Sequence, residues 1–186
     1  MLSSTFQKLS PAAEKKLLIL AITTFVLAAS CMIHFDELLK NELAPLGIIS
    51  LELAQTLENV TQILESWKLT PGAMQSAEWS LWFDYIFIIT YTFLLCLIIH
   101  RVRRSIWKMD EHIGYRLGTV MIRMVIFAGF LDMVENFALL QLFYGDSQTY
   151  WATLAFATAT IKFIHLIVAI AYILISLTAA GIKKLA

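Results

Sequence analysis

The chain has 186 residues, 59% of them hydrophobic and only 15% charged, with a formal net charge of zero and a mean hydropathy of +0.74. A soluble domain of this length has no interior large enough to hide that much apolar surface, whereas a bilayer accepts it directly. Composition therefore excludes an ordinary water-soluble globule and implies an integral membrane protein.

Four apolar runs, residues 17–35, 79–99, 117–143 and 151–180, approach or exceed the roughly 20 helical residues that cross about 30 Å of hydrocarbon. Irregular backbone cannot face lipid, and none of the runs alternates with period two, so each is predicted to be a helix and not a barrel strand. The expected fold is all-α: a four-helix membrane bundle forming a single domain over residues 1–186.

The first run follows Lys8, Lys15 and Lys16 and ends in Leu-Ala-Ala-Ser-Cys at residues 27–31. That ending is similar to a lipoprotein cleavage box, but Ala28 stands where such boxes usually carry Leu, Val or Ile, so an uncleaved anchor is the expectation. Cys96 lies deep in the second run, about 25 Å along the helix from Trp79. A disulfide to Cys31 would need Cα atoms within about 7 Å, so both cysteines read as small buried hydrophobes.

Between the first two runs, Pro45-Leu46-Gly47 and Thr70-Pro71-Gly72 bracket a patterned stretch. Ile49, Leu53, Leu57, Val60, Leu64 and Trp67 recur at spacings of four and three, and Glu52, Gln55, Glu58, Asn59, Gln62 and Glu65 fill the other positions. The spacing predicts one amphipathic helix over residues 48–67. Its polar face is acidic, unlike a helix bound to anionic lipid, so it is expected to lie as a lid on the outer mouth of the bundle. Thr70 is expected to cap the next helix, with Pro71 at its first position, running to about Arg104.

Basic residues set the orientation. Arg101, Arg103, Arg104, Lys108 and Arg116 fill the second loop, and Lys183 and Lys184 follow the last run. Lys40 and Lys68 stand alone among eight acids on the other side, so both termini are expected in the cytoplasm. Trp79, Trp82, Tyr144, Tyr150 and Trp151 mark the opposite interface. The run from Arg101 to Lys108 is a topology determinant and not a nucleic-acid site.

Polar residues inside the spans are the candidates for function, because a mid-membrane charge costs at least about 2.5–3.5 kcal/mol. At 1.5 Å per residue from the outer interface, Asp132 and Lys162 both lie roughly 16 Å deep, with Tyr91, Glu135 and His165 within about one turn. Asp132, Glu135 and Asn136 share one face of the third helix, Lys162 and His165 one face of the fourth, and Asp84 and Tyr91 one face of the second. These seven residues are predicted to form a polar layer across three helices. Arg123, nine residues from Asp132, faces away and reads as an interfacial anchor.

Three functional readings follow. The preferred one is binding or transport of a proton, ion or small polar or cationic species, since two acids remain after Lys162 neutralises one. Transport by four helices would need a homo-oligomer or a membrane partner protein. The second is a structural or partner-binding subunit whose network fixes helix packing. The third is an intramembrane enzyme, with His165 moving protons on a lipid-soluble substrate. No metal or cofactor is expected: paired Glu-x-x-His, H-E-x-x-H, G-x-S-x-G and P-loop patterns do not occur, and the histidines lie at different depths.

The blocks Gly47 to Ala54, Asp84 to Tyr91 and Asp132 to Asn136 together resemble a pattern seen in small uncharacterised bacterial inner-membrane proteins. The resemblance implies a bacterial inner-membrane location and no particular activity. It also adds Glu52 to the candidates, as an acid on the lid helix able to close over the cluster.

Overall fold

The computed structural model describes residues 10–107 and 112–185, and all regular structure among them is helical. Lys8 and Lys108, which contribute to the orientation argument, lie outside those residues. In chain order the helices are α1 (Pro11–Asp36), α2 (Ile48–Glu52), α3 (Leu57–Lys68), α4 (Ala73–Val102), α5 (Ile113–Phe143) and α6 (Thr149–Leu185).

Four stretches, Ala12–Leu39, Ala73–Trp107, Ile113–Phe143 and Thr149–Gly181, are long and apolar enough to cross a bilayer. Each exceeds the predicted apolar run, because the helix continues into the polar residues that flank it. At the start of α1, Ser10 Oγ accepts from Ala13 N at 3.2 Å and Pro11 takes the first position.

The start of α4 differs from expectation. The helix begins at Ala73 behind Gly72, whose left-handed φ of 84° turns the chain out of α3, and Thr70 and Pro71 belong to that turn. At its far end α4 passes into a π turn, Arg103–Trp107.

The long helices pack as a row: α1 on α4, α4 on α5, and α5 on α6. Small residues bring the axes together. A Cβ on Gly129 would stand 2.6 Å from Thr92 Oγ1, so α4 and α5 meet where α5 has no side chain. Ala138, Ala152, Ala155 and Ala159 are all buried. Because α1 and α6 do not close the row into a ring, a gap remains between them.

The single helix predicted over residues 48–67 is two. Leu53–Thr56 interrupts it, with Gln55 at φ 63°. Thr56 Oγ1 accepts from Asn59 N at 3.2 Å and caps α3, and Asn59 Nδ2 donates to Ala54 O at 2.9 Å. The break splits the apolar stripe. Val60, Ile63 and Trp67 are buried on α3, while on α2 the buried residues are Ile48 and Leu51, and Ile49 and Leu53 remain 38% exposed.

This segment folds onto one end of the bundle. Leu39, Ala44, Leu51, Val60 and Trp67 join Ala77, Leu81, Leu139 and Ala152 in one apolar core. Asp36, at the end of α1, accepts from Ile48 N at 2.8 Å through Oδ1 and holds Lys40 at 3.2 Å through Oδ2. At the same end Trp82 Nε1 donates to Tyr144 OH, which donates to Glu78.

Gly47 decides whether α2 can sit there. Its φ of 59° is left-handed, and a Cβ would overlap the Asp36 carboxylate. Replacing Gly47 with Ala is expected to lower stability by about 1–3 kcal/mol. Hydrogen exchange should report the damage first at the Ile48 N–H; unchanged exchange there would show that α2 is seated by other contacts.

Candidate functional site

The cluster begins with Lys162 on α6, whose side chain is 6% exposed. An ammonium so far from water needs anionic partners and hydrogen-bond acceptors together. Asp132 Oδ1 accepts from Nζ at 2.5 Å, Glu135 Oε1 at 3.0 Å and Glu52 Oε2 at 3.1 Å. The three N–H bonds of the ammonium match three carboxylates in number. Glu135 straddles Nζ: Oε2 is also 2.9 Å away, but the hydrogen bond goes to Oε1 and Oε2 makes only the electrostatic contact.

Helix geometry explains the meeting. Asp132 and Glu135, three apart on α5, project to one side, and Lys162 faces them from α6 at the same depth. Tyr91 on α4 donates to Asp132 Oδ2 at 2.7 Å, so each Asp132 oxygen has a partner.

Asn136 faces α4, not Lys162. Its Nδ2 donates to Leu81 O and to Asp84 Oδ2, both at 2.9 Å, and so positions a half-buried fourth carboxyl.

Glu52 arrives from outside the spans. On an unbroken amphipathic helix it would share the solvated face with Glu58 and Glu65. The break after Leu53 lets α2 lie in its own register, and the Glu52 side chain is 12% exposed against Lys162. A capping pattern in the sequence, Thr56 with Asn59 three residues on, marks a helix start inside the predicted element.

His165 does not join the cluster. Three residues fall about 60° short of a full helical turn, and its ring turns to Phe127, with centroids 5.6 Å apart. Its Nδ1 lies 2.7 Å from Ile161 O, one turn back on its own helix, so a local carbonyl satisfies it. The predicted seven-residue layer is therefore six residues plus Glu52. Arg123 is exposed and apart from the cluster.

One wall of the cluster is open space. A cavity of about 490 Å³ occupies the gap between α1 and α6, and Glu52, Asp84, Tyr91, Asp132 and Lys162 line its base. Its sides are apolar: Phe25 and Met32 from α1, Phe87 and Leu94 from α4, Phe163 and Leu166 from α6. Nothing in the residue pattern singles out these aliphatic and aromatic side chains from the many others in the spans. The cavity reaches the surface at Ile33 and Ile170, 63% and 45% exposed. Lys162 Nζ also lies 4.9 Å from the Phe163 ring centroid.

Chemically, three carboxylates meet one ammonium beside the base of an apolar cavity, and a fourth carboxyl, Asp84, lines that base on Asn136. Among the described residues no group of three or more His, Cys, Asp or Glu is arranged to hold a metal ion. Cys31 and Cys96 are both free. No protein-family model, curated protein or solved structure matches the chain.

Proposed function

We propose that this protein binds a small cationic group, carried on an apolar body, at the base of the cavity between α1 and α6. The observation that carries this reading is the charge imbalance at the cavity floor. Glu52, Asp84 and Asp132 line the floor, with Glu135 behind them on Lys162, the sole cation there among the described residues, and the walls above are hydrocarbon. Unbalanced carboxyls in a low-dielectric setting must take up protons or a cationic guest.

On this reading α2 and α3 lie on the outer side, as the basic residues imply, and the membrane is the bacterial inner membrane that the resemblance implies. The cavity then lies in the outer half of the bilayer and takes its ligand sideways from lipid. Transport would add a homo-oligomer or partner protein to complete a path. The direct pairing of Lys162 with three acids favours a second reading, a network that only fixes helix packing. Acid–base catalysis on a lipid-soluble substrate is the weaker third, since His165 stands apart from the carboxyls.

Decylammonium, decanol and decanoate separate these readings, because they share a chain and differ in the head. In detergent-solubilised protein, decylammonium is expected to raise Tm by mass action, with decanol and decanoate well behind. Glu52→Gln, on the short α2 and away from the spans, is expected to remove most of that rise and leave the apo Tm within a few degrees. Equal shifts with decanol, or a full decylammonium response in Glu52→Gln, would remove the cation site and leave the packing network.

A further inference from the structure

A second groove of about 660 Å³ runs between α4 and α5, separate from the Lys162 cavity. At one end it is lined by His100, Arg103, Thr119 and Arg123, and among the described residues no acid lines it. The rest is apolar, with Ile89 and Phe130 on its walls, each 60% exposed.

Arg103 is the unexplained residue. It is 3% exposed, yet no carboxylate among the described residues pairs with it. One terminal nitrogen donates to Thr119 Oγ1 at 2.7 Å, the other lies 3.2 Å from His100 Nδ1, and the guanidinium sits 4.7 Å from the Tyr115 ring centroid. Its Nε has no hydrogen-bond partner. Among the described residues this buried cation is held only by neutral groups, with a donor left over and no counter-anion.

We propose that this groove holds an anionic phospholipid, its phosphate on Arg103 and an acyl chain along the apolar wall. Guanidinium offers paired N–H donors that suit phosphate oxygens, and Arg123, one turn along α5 from Thr119, adds a second cation at the same end. The dimensions fit a lipid lying lengthwise. Thr119 to Met133 spans about 21 Å of helix at 1.5 Å per residue, and one leaflet contributes about 15 Å of hydrocarbon. Gly129 lines the groove and leaves room for Thr92, which a Cβ there would meet. The positive end coincides with the basic loop of the sequence, the side where anionic lipids concentrate. This site stands whether or not the Lys162 cavity binds a cation.

Native mass spectrometry of the full chain in dodecylmaltoside, titrated with phosphatidylglycerol or phosphatidylcholine, tests it. The expected result is about tenfold tighter retention of phosphatidylglycerol, the scale of one charge-assisted hydrogen bond. Arg103→Gln should abolish the preference and Arg103→Lys should keep part of it. Ile126→Trp, which fills the groove and leaves Arg103 in place, should release phosphatidylglycerol even if Arg103→Gln does not fold. Equal retention of the two lipids by the native chain would overturn the proposal. So would an unchanged preference in Ile126→Trp, or displacement of phosphatidylglycerol by inorganic phosphate at matched concentration, which would assign Arg103 to a free anion.

Discussion

Replacing Lys162 with Met is expected to cost about 3–5 kcal/mol, because it leaves a group of buried carboxyls with no countercharge. The side chain is 6% exposed and donates to Glu52, Asp132 and Glu135 at 2.5–3.1 Å, so neither water nor another cation replaces it. Methionine has similar length and fills the same space, which confines the effect to charge and hydrogen bonding. In detergent the midpoint of thermal unfolding should fall by on the order of 10 °C.

The diagnostic step is the rescue. Asp132→Asn with Glu135→Gln, added to Lys162→Met, removes two of the stranded charges and should recover most of the loss. Recovery beyond the sum of the separate effects measures the coupling directly. If Lys162→Met melts with the native protein, the ammonium is not the centre of the network. If the triple variant melts no higher than the single one, packing and not charge explains the loss.

How much of this site was readable before the structure depends on the element each residue stands on. Asp132, Glu135 and Lys162 belong to long regular helices, where depth follows from 1.5 Å per residue and facing from the i, i+3 relation. Those two numbers bring Lys162 to the level of Asp132, and the two side chains meet. Tyr91 and Asp84 follow from their shared face on α4, although Asp84 answers to Asn136 and not to Lys162.

The same reasoning fails where facing is decided by something finer than helical period. His165 lies near the right angle and depth but has a carbonyl of its own helix within 2.7 Å, and local satisfaction wins over a distant cluster. Glu52 fails in the opposite direction. Its stripe looked continuous because Ile49, Leu53 and Leu57 keep the spacing across a break that Gln55 makes with a positive φ. One turn residue thus moves an acid from the solvated face of one helix to the ammonium of another; the resemblance named Glu52 as a candidate, but of the local pattern only the Thr56 cap pointed to the break. The cavity was not readable at all, since it depends on α1 and α6 failing to meet.

That dependence of Glu52 on a short, separately seated segment leads to the second large effect. Trp67→Ala is expected to cost about 3–5 kcal/mol, the range for emptying a buried aromatic site. Trp67 is 0% exposed, and its Nε1 donates to Leu39 O at 2.8 Å, tying α3 to the turn that follows α1. It does not line the cavity. The four long helices carry their own packing, so far-UV dichroism should retain most of its helical signal while hydrogen exchange accelerates across α2 and α3. Glu52 would then lose its fixed place beside Lys162, and the Tm rise with decylammonium should drop as it does in Glu52→Gln. Trp67→Phe keeps most of the buried ring and loses only the bond to Leu39 O, at a cost of about 1–3 kcal/mol, so its decylammonium response should survive. A Trp67→Ala variant with accelerated exchange and a full response would show that the cation site needs only the span residues. Unchanged exchange would mean that Asp36 and the Asn41–Ser66 hydrogen bond seat the segment without Trp67.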